Sequence, residues 1–539
     1  MHERRRNHWG WGWEDEQPSP DELRAAAGGL VEHLGFGSRE PEMAVPLDTI
    51  ALPARRVAPP PGLASICVSD DATRVRHAYG RAYRDVVRAF RGRIDHPPDV
   101  VAFPRSASDV ERVLEWAADA GVAVIPFGGG TSVVGGVEPR VGVRYAGAIA
   151  LDLMHLDRVR EVDAVSGLAR VEAGVLGPAL EDQLRPHGVT LRHFPQSFEL
   201  STLGGWIATR AGGHFATGPT HIDDLVASVT AVTPRGTWSS RRLPGSGAGP
   251  SPDRLLLGSE GTLGVITEAW VRVRRPPAFR ASRAVRFGSF TAGAAAVRAL
   301  AQSGLQPENC RLIDAREAAL TFAGDGSASL LMLGFESAFE PVESRLASGL
   351  RICAAHGGAW DEPAGADAAG AREGAVGGWR TAFLRAPYVR DVLVAIGVLS
   401  ETFETAITWD RLDAFVAEVV EATRAAVVAL CGDAIVTCRL THAYPDGAAP
   451  YFTVVAPVRR GAELETWDAV KRVAGDAILA GGGTITHHHA VGRDHRPWYD
   501  LQRPDPFATA LRGAKAAVDP AWLLNPGVLL DTPELGPSS

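Results

Sequence analysis

Two glycine-rich stretches, far apart in the chain, constrain its fold most strongly. They read Pro126-Phe127-Gly128-Gly129-Gly130-Thr131-Ser132 and Gly258-Ser259-Glu260-Gly261-Thr262-Leu263-Gly264-Val265-Ile266. Because glycine has no Cβ, such a stretch lets its backbone N–H groups approach an anion such as a dinucleotide pyrophosphate. Neither stretch has the Gly-Lys-Ser/Thr end of a P-loop, and Val133 occupies the third-glycine position of the Rossmann spacing. We therefore predict phosphate-binding loops of another kind.

Composition indicates an ordinary globular protein. The 539 residues are 45% hydrophobic and 22% charged, which predicts two or three domains. The net charge of −8 argues against a nucleic-acid partner. Five scattered cysteines without a Cys-x-x-Cys pair favour reduced thiols in a cytosolic protein. No apolar run approaches the ~20 residues of a bilayer span, so we expect a cytoplasmic protein, with peripheral membrane association left open.

From residue 98 onwards, apolar runs alternate with helical patterns. Strands at 100–104 and 123–126 flank a helix at 109–120, for which Ser108 is the predicted N-cap. The second half of the chain alternates alanine-rich helices with strands, which is typical of an α+β domain. The first 97 residues contain proline clusters, and we interpret them as an arm and not as part of a core.

A run of three histidines, His487-His488-His489, follows a predicted strand at 483–486. Strand alternation would place His487 and His489 on one face and His488 on the other. From the residues alone, three interpretations stay open: solvated or core histidines, a zinc site, or a proton-transfer cluster, since imidazole titrates near pH ~6.5. No carboxylate or cysteine nearby in the sequence offers a third zinc ligand, so we expect no metal ion.

Two further side chains allow both a structural and a functional interpretation. Arg390 could form an ion pair with Asp391, or its guanidinium could clamp a carboxylate or phosphate. Tyr451 lies in an alternating strand, where an aromatic residue normally packs, but its phenol could also bond to a substrate. We interpret Glu404 and Asp410 as structural partners.

Several segments together resemble the vanillyl-alcohol oxidase/p-cresol methylhydroxylase (VAO/PCMH) flavoprotein superfamily, and within it the alkyldihydroxyacetonephosphate synthase family. The resemblance covers residues 98–277 and most of the second half. Its motifs are the two glycine stretches and the segments 195–212, 311–314, 388–391, 404–405, 409–411 and 487–492. The Trp9-Gly10-Trp11-Gly12-Trp13 motif near the N-terminus also resembles one in this family.

The resemblance implies an α+β fold and a division into four parts. These are an N-terminal helical arm (1–97), a PCMH/VAO-type FAD-binding domain of two α/β subdomains (98–277), an α+β cap domain for substrate (278–505) and a C-terminal segment returning to the FAD domain (506–539).

The resemblance also implies FAD as cofactor, with its pyrophosphate on 128–132. The first loop has no His or Cys that could link the flavin covalently, so we expect noncovalent FAD. The implied FAD contacts are Pro126, Phe127, Gly128, Gly129, Gly130, Thr131, Ser132, Pro195, Gln196, Ser197, Phe198, Glu199, Leu200, Ser201, Ala208, Thr209, Arg210, Ala211, Glu260, Gly261, Thr262, Leu263, Gly264, Val265 and Ile266.

The activity that the resemblance implies belongs to ether lipid biosynthesis. A transferase of this kind replaces the acyl chain of acyl-dihydroxyacetone phosphate by a fatty alcohol, through an adduct on flavin N5. The implied catalytic residues are Tyr451, His487, His488 and His489, and the implied substrate-binding residues are Arg390 and, less directly, Arg311.

Two other functions stay open. An FAD-linked oxidoreductase of a 2-hydroxy acid or alcohol would use the same FAD domain, because fold does not fix function, and the 524–527 segment resembles the hydroxy-acid oxidases. A flavin-binding protein without turnover is the third possibility.

The expected partners follow from the implied reaction. They are a lipid or small anionic substrate and a second copy of the chain in a homodimer, with no nucleic acid. The residues 536–539 do not form a peroxisomal address, which agrees with the cytoplasmic expectation.

Overall fold

The computed structural model describes residues 4–361 and 375–532. Its longer α-helices are Pro20–Leu34, Tyr83–Phe90, Ala107–Ala120, Gly177–Leu184, Leu203–Thr209, Phe290–Gln302, Glu343–Ala355, Ala375–Ala395, Leu412–Cys431, Glu463–Ala480, Arg496–Gln502 and Asp505–Val518. Shorter helices are Asp71–Arg76, Asp253–Leu256 and Ala315–Leu320. The α+β fold predicted from the sequence is confirmed.

A four-stranded sheet carries the first glycine loop. Its strands, in spatial order, are Cys67–Val68, Val100–Ala102, Gly147–Asp152 and Val122–Phe127, and the last three are parallel. Helix Ala107–Ala120 buries Val110, Val113 and Ala117, a helical spacing that seats one face on the core. Ser106, and not Ser108, caps this helix, since its Oγ accepts the N–H of Asp109 at 3.1 Å.

A five-stranded antiparallel sheet carries the second glycine stretch. Its strands, in spatial order, are Val159–Asp163, Leu168–Glu172, Val265–Arg272, Val226–Thr233 and Gly236–Ser239. It shares one hydrophobic core with the four-stranded sheet, so the two glycine stretches are held in a common unit.

A third, antiparallel sheet forms the other half of the molecule. Its strands, in spatial order, are Phe279–Phe287, Ser329–Ser337, Asn309–Ile313, Ile435–Ala443, Gly447–Pro457 and Val398–Glu404, with Ile407–Thr408 paired to Gly447–Pro457. Helices Phe290–Gln302, Leu412–Cys431 and Glu463–Ala480 contribute to its own hydrophobic core. The sheet places Arg311, Arg439 and Tyr451 on neighbouring strands.

The N-terminal residues are more deeply built in than the arm interpretation allowed. Helix Tyr83–Phe90 buries Val86, Val87 and Phe90 in the core of the third sheet. The charged residues of this helix give no sign of burial in the sequence, but they are paired inside the molecule. Arg88 pairs with Asp85 at 2.7 Å and with Glu138 at 2.9 Å. Buried charges are tolerated when they are paired in this way.

The C-terminal segment runs back to the four-stranded sheet. Val124 N–H donates to Leu523 O at 2.8 Å and Asn525 N–H donates to Val124 O at 2.9 Å. The buried Lys515 ammonium bonds to Asp519 and to the carbonyl of Thr262. Within the described residues, no helix combines the length and apolar character needed to cross a bilayer.

Candidate active site

The first glycine loop presents a row of backbone donors. It follows strand Val122–Phe127, and the N–H groups of residues 129–133 have no hydrogen-bond partner in the described part of the chain. A Cβ on Gly129 would lie 1.9 Å from the carbonyl oxygen of Leu200, and one on Gly128 would lie 2.4 Å from Thr202 Oγ1. The loop therefore packs directly on the 195–202 segment while its amides stay available, which fits a bound pyrophosphate.

The second glycine stretch is held in a backbone conformation that its glycines permit. Gly258 and Gly261 have φ of +78° and +74°, and Glu260 between them has +49°. The Glu260 carboxylate accepts the N–H groups of Val491 and Gly492 at 2.9 and 2.8 Å, and burial raises its pKa to about 7. This stretch thus joins the FAD side to the segment that follows the histidines.

A cavity of about 550 Å³ lies between these loops and the third sheet. The predicted residues that line it are Pro126, Phe127, Gly128, Gly129, Gly130, Thr131, Ser132, Pro195, Gln196, Ser197, Ser201, Ala208, Thr209, Ala211, Glu260, Gly261, Gly264, Ile266, Arg390, Tyr451, His488 and His489. Predicted residues outside its lining are Phe198, Glu199, Leu200, Arg210, Thr262, Leu263, Val265, Arg311 and His487.

The histidine run is not preceded by a strand, so the predicted alternation of faces is wrong. Residues 483–490 form an irregular loop around the buried carboxylate of Glu404. That carboxylate accepts the backbone N–H groups of His487, His488 and His489 at 2.8 to 2.9 Å. Consecutive amides pointing at one anion require a curled backbone, which a strand cannot provide.

Glu404 also organises the imidazole rings. His488 Nδ1 lies 3.2 Å from its carboxylate and 3.0 Å from His487 Nδ1. Burial opposes ionisation of Glu404, but the attraction of His488 and His489 outweighs it and keeps the pKa of Glu404 well below its usual range. Glu404 is thus a fixed negative charge beneath three imidazoles.

A hydrogen-bonded chain leads away from the histidine run. His487 Nε2 lies 2.7 Å from the Tyr444 hydroxyl and 3.0 Å from His221 Nε2, and Tyr444 continues to Thr220 at 3.0 Å. Burial lowers the pKa of His221 to about 4 and holds that of His487 well below its ordinary value. These rings are neutral at pH 7, the form that accepts a proton.

Tyr451 lies beside both cavity-lining histidines. Its ring centroid is 5.4 Å from that of His489 and 6.3 Å from that of His488. The Arg439 guanidinium stacks 3.7 Å from the centre of the tyrosine ring and bonds to the Glu317 carboxylate at 2.6 Å. A phenol and two imidazoles therefore converge at one end of the cavity.

The two predicted substrate arginines occupy different positions. Arg390 lines the cavity and donates to the carbonyl oxygen of Arg81 at 3.1 Å, while Asp391 accepts the N–H of Trp11. Arg311 lies behind the lining and donates to the carbonyl oxygen of His214 at 3.0 Å. Burial, with Arg439 nearby, lowers the pKa of Arg311 to about 9. Arg390 can contact a ligand directly, whereas Arg311 lies outside the cavity lining.

Sequence reasoning missed His221, His442, Tyr444 and Arg439, which lie on other segments from the histidine run. It sought a third zinc ligand only nearby in the sequence, yet nitrogen atoms of His442, His487 and His488 lie within 4.8 Å of one another. The absence of a metal ion stays a prediction. These side chains are far apart in the sequence and come together only in the folded chain. No local sequence pattern could therefore have indicated them.

Comparison with known proteins identifies two family models in this chain. "FAD binding domain" matches residues 98–240, and "FAD linked oxidases, C-terminal domain" matches residues 276–529. FAD is the cofactor, and the free amides of the first loop fit it.

Individual relatives narrow the assignment. Glycolate oxidase subunit GlcD of Bacillus subtilis is 26% identical over 80% of this chain and 88% of its own length. A solved structure of alkyldihydroxyacetonephosphate synthase superposes with a TM-score of 0.78 at 24% identity, covering 97% of both chains, which shows a shared fold. The alkyldihydroxyacetonephosphate synthase of Trypanosoma brucei brucei is 31% identical over 86% of this chain and 78% of its own length. This chain belongs to the alkyldihydroxyacetonephosphate synthase family of FAD-dependent enzymes.

Proposed function

We propose that this enzyme exchanges the acyl chain of acyl-dihydroxyacetone phosphate for a fatty alcohol and so forms an ether lipid precursor. The single observation that carries the proposal is the convergence of Arg390, Tyr451, His488 and His489 on a cavity whose opposite wall is the amide-lined FAD loop. An anion clamp and proton-accepting side chains that face a flavin are what this exchange requires.

Each side chain has a definite task in the exchange. Bound FAD would supply an electron-accepting ring system that stabilises the negative charge left on the substrate carbon when its proton is removed. Arg390 would bind the phosphate, which suits its fork of donors. His488 or His489 would take a proton from substrate C1 and return it, and would take the hydroxyl proton of the alcohol, with Tyr451 hydrogen-bonded to the reacting oxygen. The old C1–O bond breaks, the new one forms, and fatty acid leaves without net redox change.

The cavity also offers an apolar path for the chains. Its far end is lined by Leu30, Leu34, Leu320, Phe322 and Leu393, and the Phe322 side chain is 72% exposed. We infer that the hydrocarbon chains enter here from a membrane surface on which the enzyme lies peripherally.

Vesicle binding tests the membrane inference. Phe322→Ser should weaken cosedimentation with phosphatidylcholine vesicles about threefold, whereas Val165→Ser, which changes an exposed apolar residue outside the cavity, should not. Equal binding of all three proteins contradicts the inferred orientation.

Anaerobic mixing tests the reaction itself. The FAD-loaded enzyme should release fatty acid from acyl-dihydroxyacetone phosphate when fatty alcohol is present, and its flavin should stay oxidised after turnover. Lasting bleaching by a 2-hydroxy acid, with no fatty acid released from the ketone ester, would instead establish the oxidoreductase alternative.

Three finer points complete the proposal, supported by the family resemblance and the composition. The FAD is noncovalent, the chain forms a homodimer, and the protein is cytoplasmic. Trichloroacetic acid should release all the yellow colour from the protein, and light scattering should give twice the chain mass of 57.1 kDa. Flavin retained on the precipitate contradicts the first point, and a monomeric mass contradicts the second.

A further inference from the structure

A closed N-terminal loop borders the cavity and has no part in the reaction described above. We call residues 5–14 the tryptophan-glycine loop. Its ends are tied by Glu14 N–H to Arg5 O at 2.8 Å and by Asn7 N–H to Gly12 O at 3.0 Å. Trp11, at its tip, is 4% exposed and lines the cavity. Loops normally run over the protein surface, so this burial requires an explanation.

The tryptophan-glycine loop packs against the helix that carries Arg390 and forms a hydrogen bond to it. The carboxylate of Asp391, the next residue, accepts the Trp11 N–H at 2.7 Å. A Cβ on Gly10 would lie only 2.2 Å from that carboxylate, and one on Gly12, whose φ is +84°, would lie 2.8 Å from the Tyr388 ring. Both glycines are therefore required for the close approach of loop and helix.

The tryptophan-glycine loop also bonds to the first glycine loop, on the FAD side of the cavity. Arg6 donates to the carbonyl oxygen of Gly128 at 2.8 Å and pairs with the buried Asp152 at 3.1 Å. A charge-assisted bond to the first glycine of the pyrophosphate loop limits how far that loop can move.

One residue connects all three parts. Arg81 donates its guanidinium to the carbonyl oxygen of Asn7 at 2.7 Å and its backbone N–H to that of Ser132 at 2.6 Å. The carbonyl oxygen of Arg81 accepts from Arg390 at 3.1 Å. The loop, the pyrophosphate loop and the anion clamp thus form a continuous hydrogen-bonded unit.

We propose that the tryptophan-glycine loop is a positioning element that sets the distance between Arg390 and the FAD pyrophosphate loop. The role of Arg390 as the anion clamp rests on the proposed function. Burial raises the pKa of Asp391 to about 8, which favours the neutral carboxyl group, and an oxygen atom of that group still accepts the Trp11 N–H.

Gly10→Ala tests the proposal on the full-length protein. The added methyl group must push Asp391 away, and we expect the Kd for dihydroxyacetone phosphate, followed by calorimetry on the FAD-loaded protein, to rise about 10- to 100-fold. Gly28→Ala is the matched control, because nothing lies within 4 Å of its added Cβ and the residue is helical. Unchanged affinity in Gly10→Ala, even with a lower Tm, overturns the proposal, since a merely structural loop would change only stability.

A double-mutant cycle separates positioning from general damage. Asp391→Ala removes the atoms that the Gly10 methyl would meet, so Gly10→Ala should cost little in that background. Asp391→Asn keeps an acceptor for Trp11 N–H and should retain most of the anion affinity. Additive losses, or an Asn variant as weak as the Ala variant, contradict the proposal.

The FAD side provides an independent readout. Arg6→Gln should raise the Kd of the apoprotein for FAD about tenfold, because one charge-assisted bond to the pyrophosphate loop is lost. If the wild-type protein binds no dihydroxyacetone phosphate, the proposed substrate is wrong, and the positioning proposal is then judged on FAD affinity in Arg6→Gln and Gly10→Ala. Wild-type FAD affinity in both variants overturns it.

Discussion

The two walls of the cavity are built from different chemical groups. The FAD wall presents the backbone amides of residues 129–133, and a Cβ on Gly128 or Gly129 of this loop would meet neighbouring atoms. The opposite wall, which we call the histidine wall, presents the half-buried His488 and His489, held over Glu404, and the buried Tyr451 beside them. The FAD wall can bind a phosphate but has no proton to exchange, whereas the opposite wall has groups that can exchange protons together with the Arg390 guanidinium. Binding and turnover should therefore respond separately to substitutions in the two walls.

The largest difference between the effects on turnover and on FAD binding is expected for substitutions in the histidine wall. His488→Ala or His489→Ala should reduce kcat by ~10²–10⁴-fold, the range for loss of a general acid–base, while the FAD content stays at one per chain. The exposed His187→Ala serves as control and should be unaffected. Near-normal turnover in both variants removes the proton-transfer role.

The converse effect is expected for the FAD wall. Gly129→Ala places a methyl group against the Leu200 carbonyl oxygen and should weaken FAD binding about 10- to 100-fold. Activity at saturating FAD should then be largely recovered. Gly245→Ala, with nothing within 4 Å of the added Cβ, is the control. An FAD affinity equal to that of the control would show that the amides do not bind the cofactor.

A smaller effect on turnover is expected for Glu404, which holds the histidine wall in place without lining the cavity. Glu404→Gln keeps the shape but removes the charge that holds three backbone amides, so kcat should fall about tenfold with FAD affinity unchanged. Steady-state kinetics and fluorescence titration of FAD measure the two quantities. A parallel loss of FAD binding would show that the walls are not independent.

The smallest effect is a pair of opposite pH dependences. Folding lowers the pKa of His221 to about 4, so between pH 4 and 6.5 the unfolded chain binds more protons and stability rises with pH. Folding raises the pKa of Glu260 to about 7, so between pH 4.5 and 7 the folded chain binds more protons and stability falls with pH. Each group contributes at most ~1.4 kcal/mol per pH unit.

Urea unfolding of the apoprotein from pH 4.5 to 7 checks these signs. Glu260→Gln should make the free energy of unfolding rise more steeply with pH, and His221→Gln should make it rise less steeply. The reverse order contradicts the assignment.

The same contrast explains what could be predicted from the sequence. The FAD wall contains two glycine-rich stretches, because a close approach of the backbone to its neighbours and to an anion favours residues without a Cβ atom, and a local sequence pattern records this. The histidine wall depends on Glu404. Because its carboxylate accepts the backbone N–H groups of the histidine run, this segment forms a curled loop where a strand was predicted, and the imidazole rings of His487 and His488 lie in contact. Tyr444 and Arg439 come from strand Ile435–Ala443 and the residue after it, and only the sheet register brings them to the site.

The N-terminal part shows the same limit. Helix Tyr83–Phe90 carries Arg84, Asp85 and Arg88, a pattern typical of an exposed helix, yet these charges pair inside the molecule. Partners such as Glu138 are distant in the sequence, so the arm was predicted from the proline clusters without any sign of these buried ion pairs.

Isotope labelling tests most directly whether the FAD wall and the histidine wall cooperate in ether formation. The enzyme is incubated with acyl-dihydroxyacetone phosphate and a fatty alcohol labelled with ¹⁸O at its hydroxyl, and the products are analysed by mass spectrometry. The account predicts that the label stays in the ether product and that unlabelled fatty acid is released in equal amount. Label in a fatty ester, or no fatty acid release while the flavin is reduced, would contradict it.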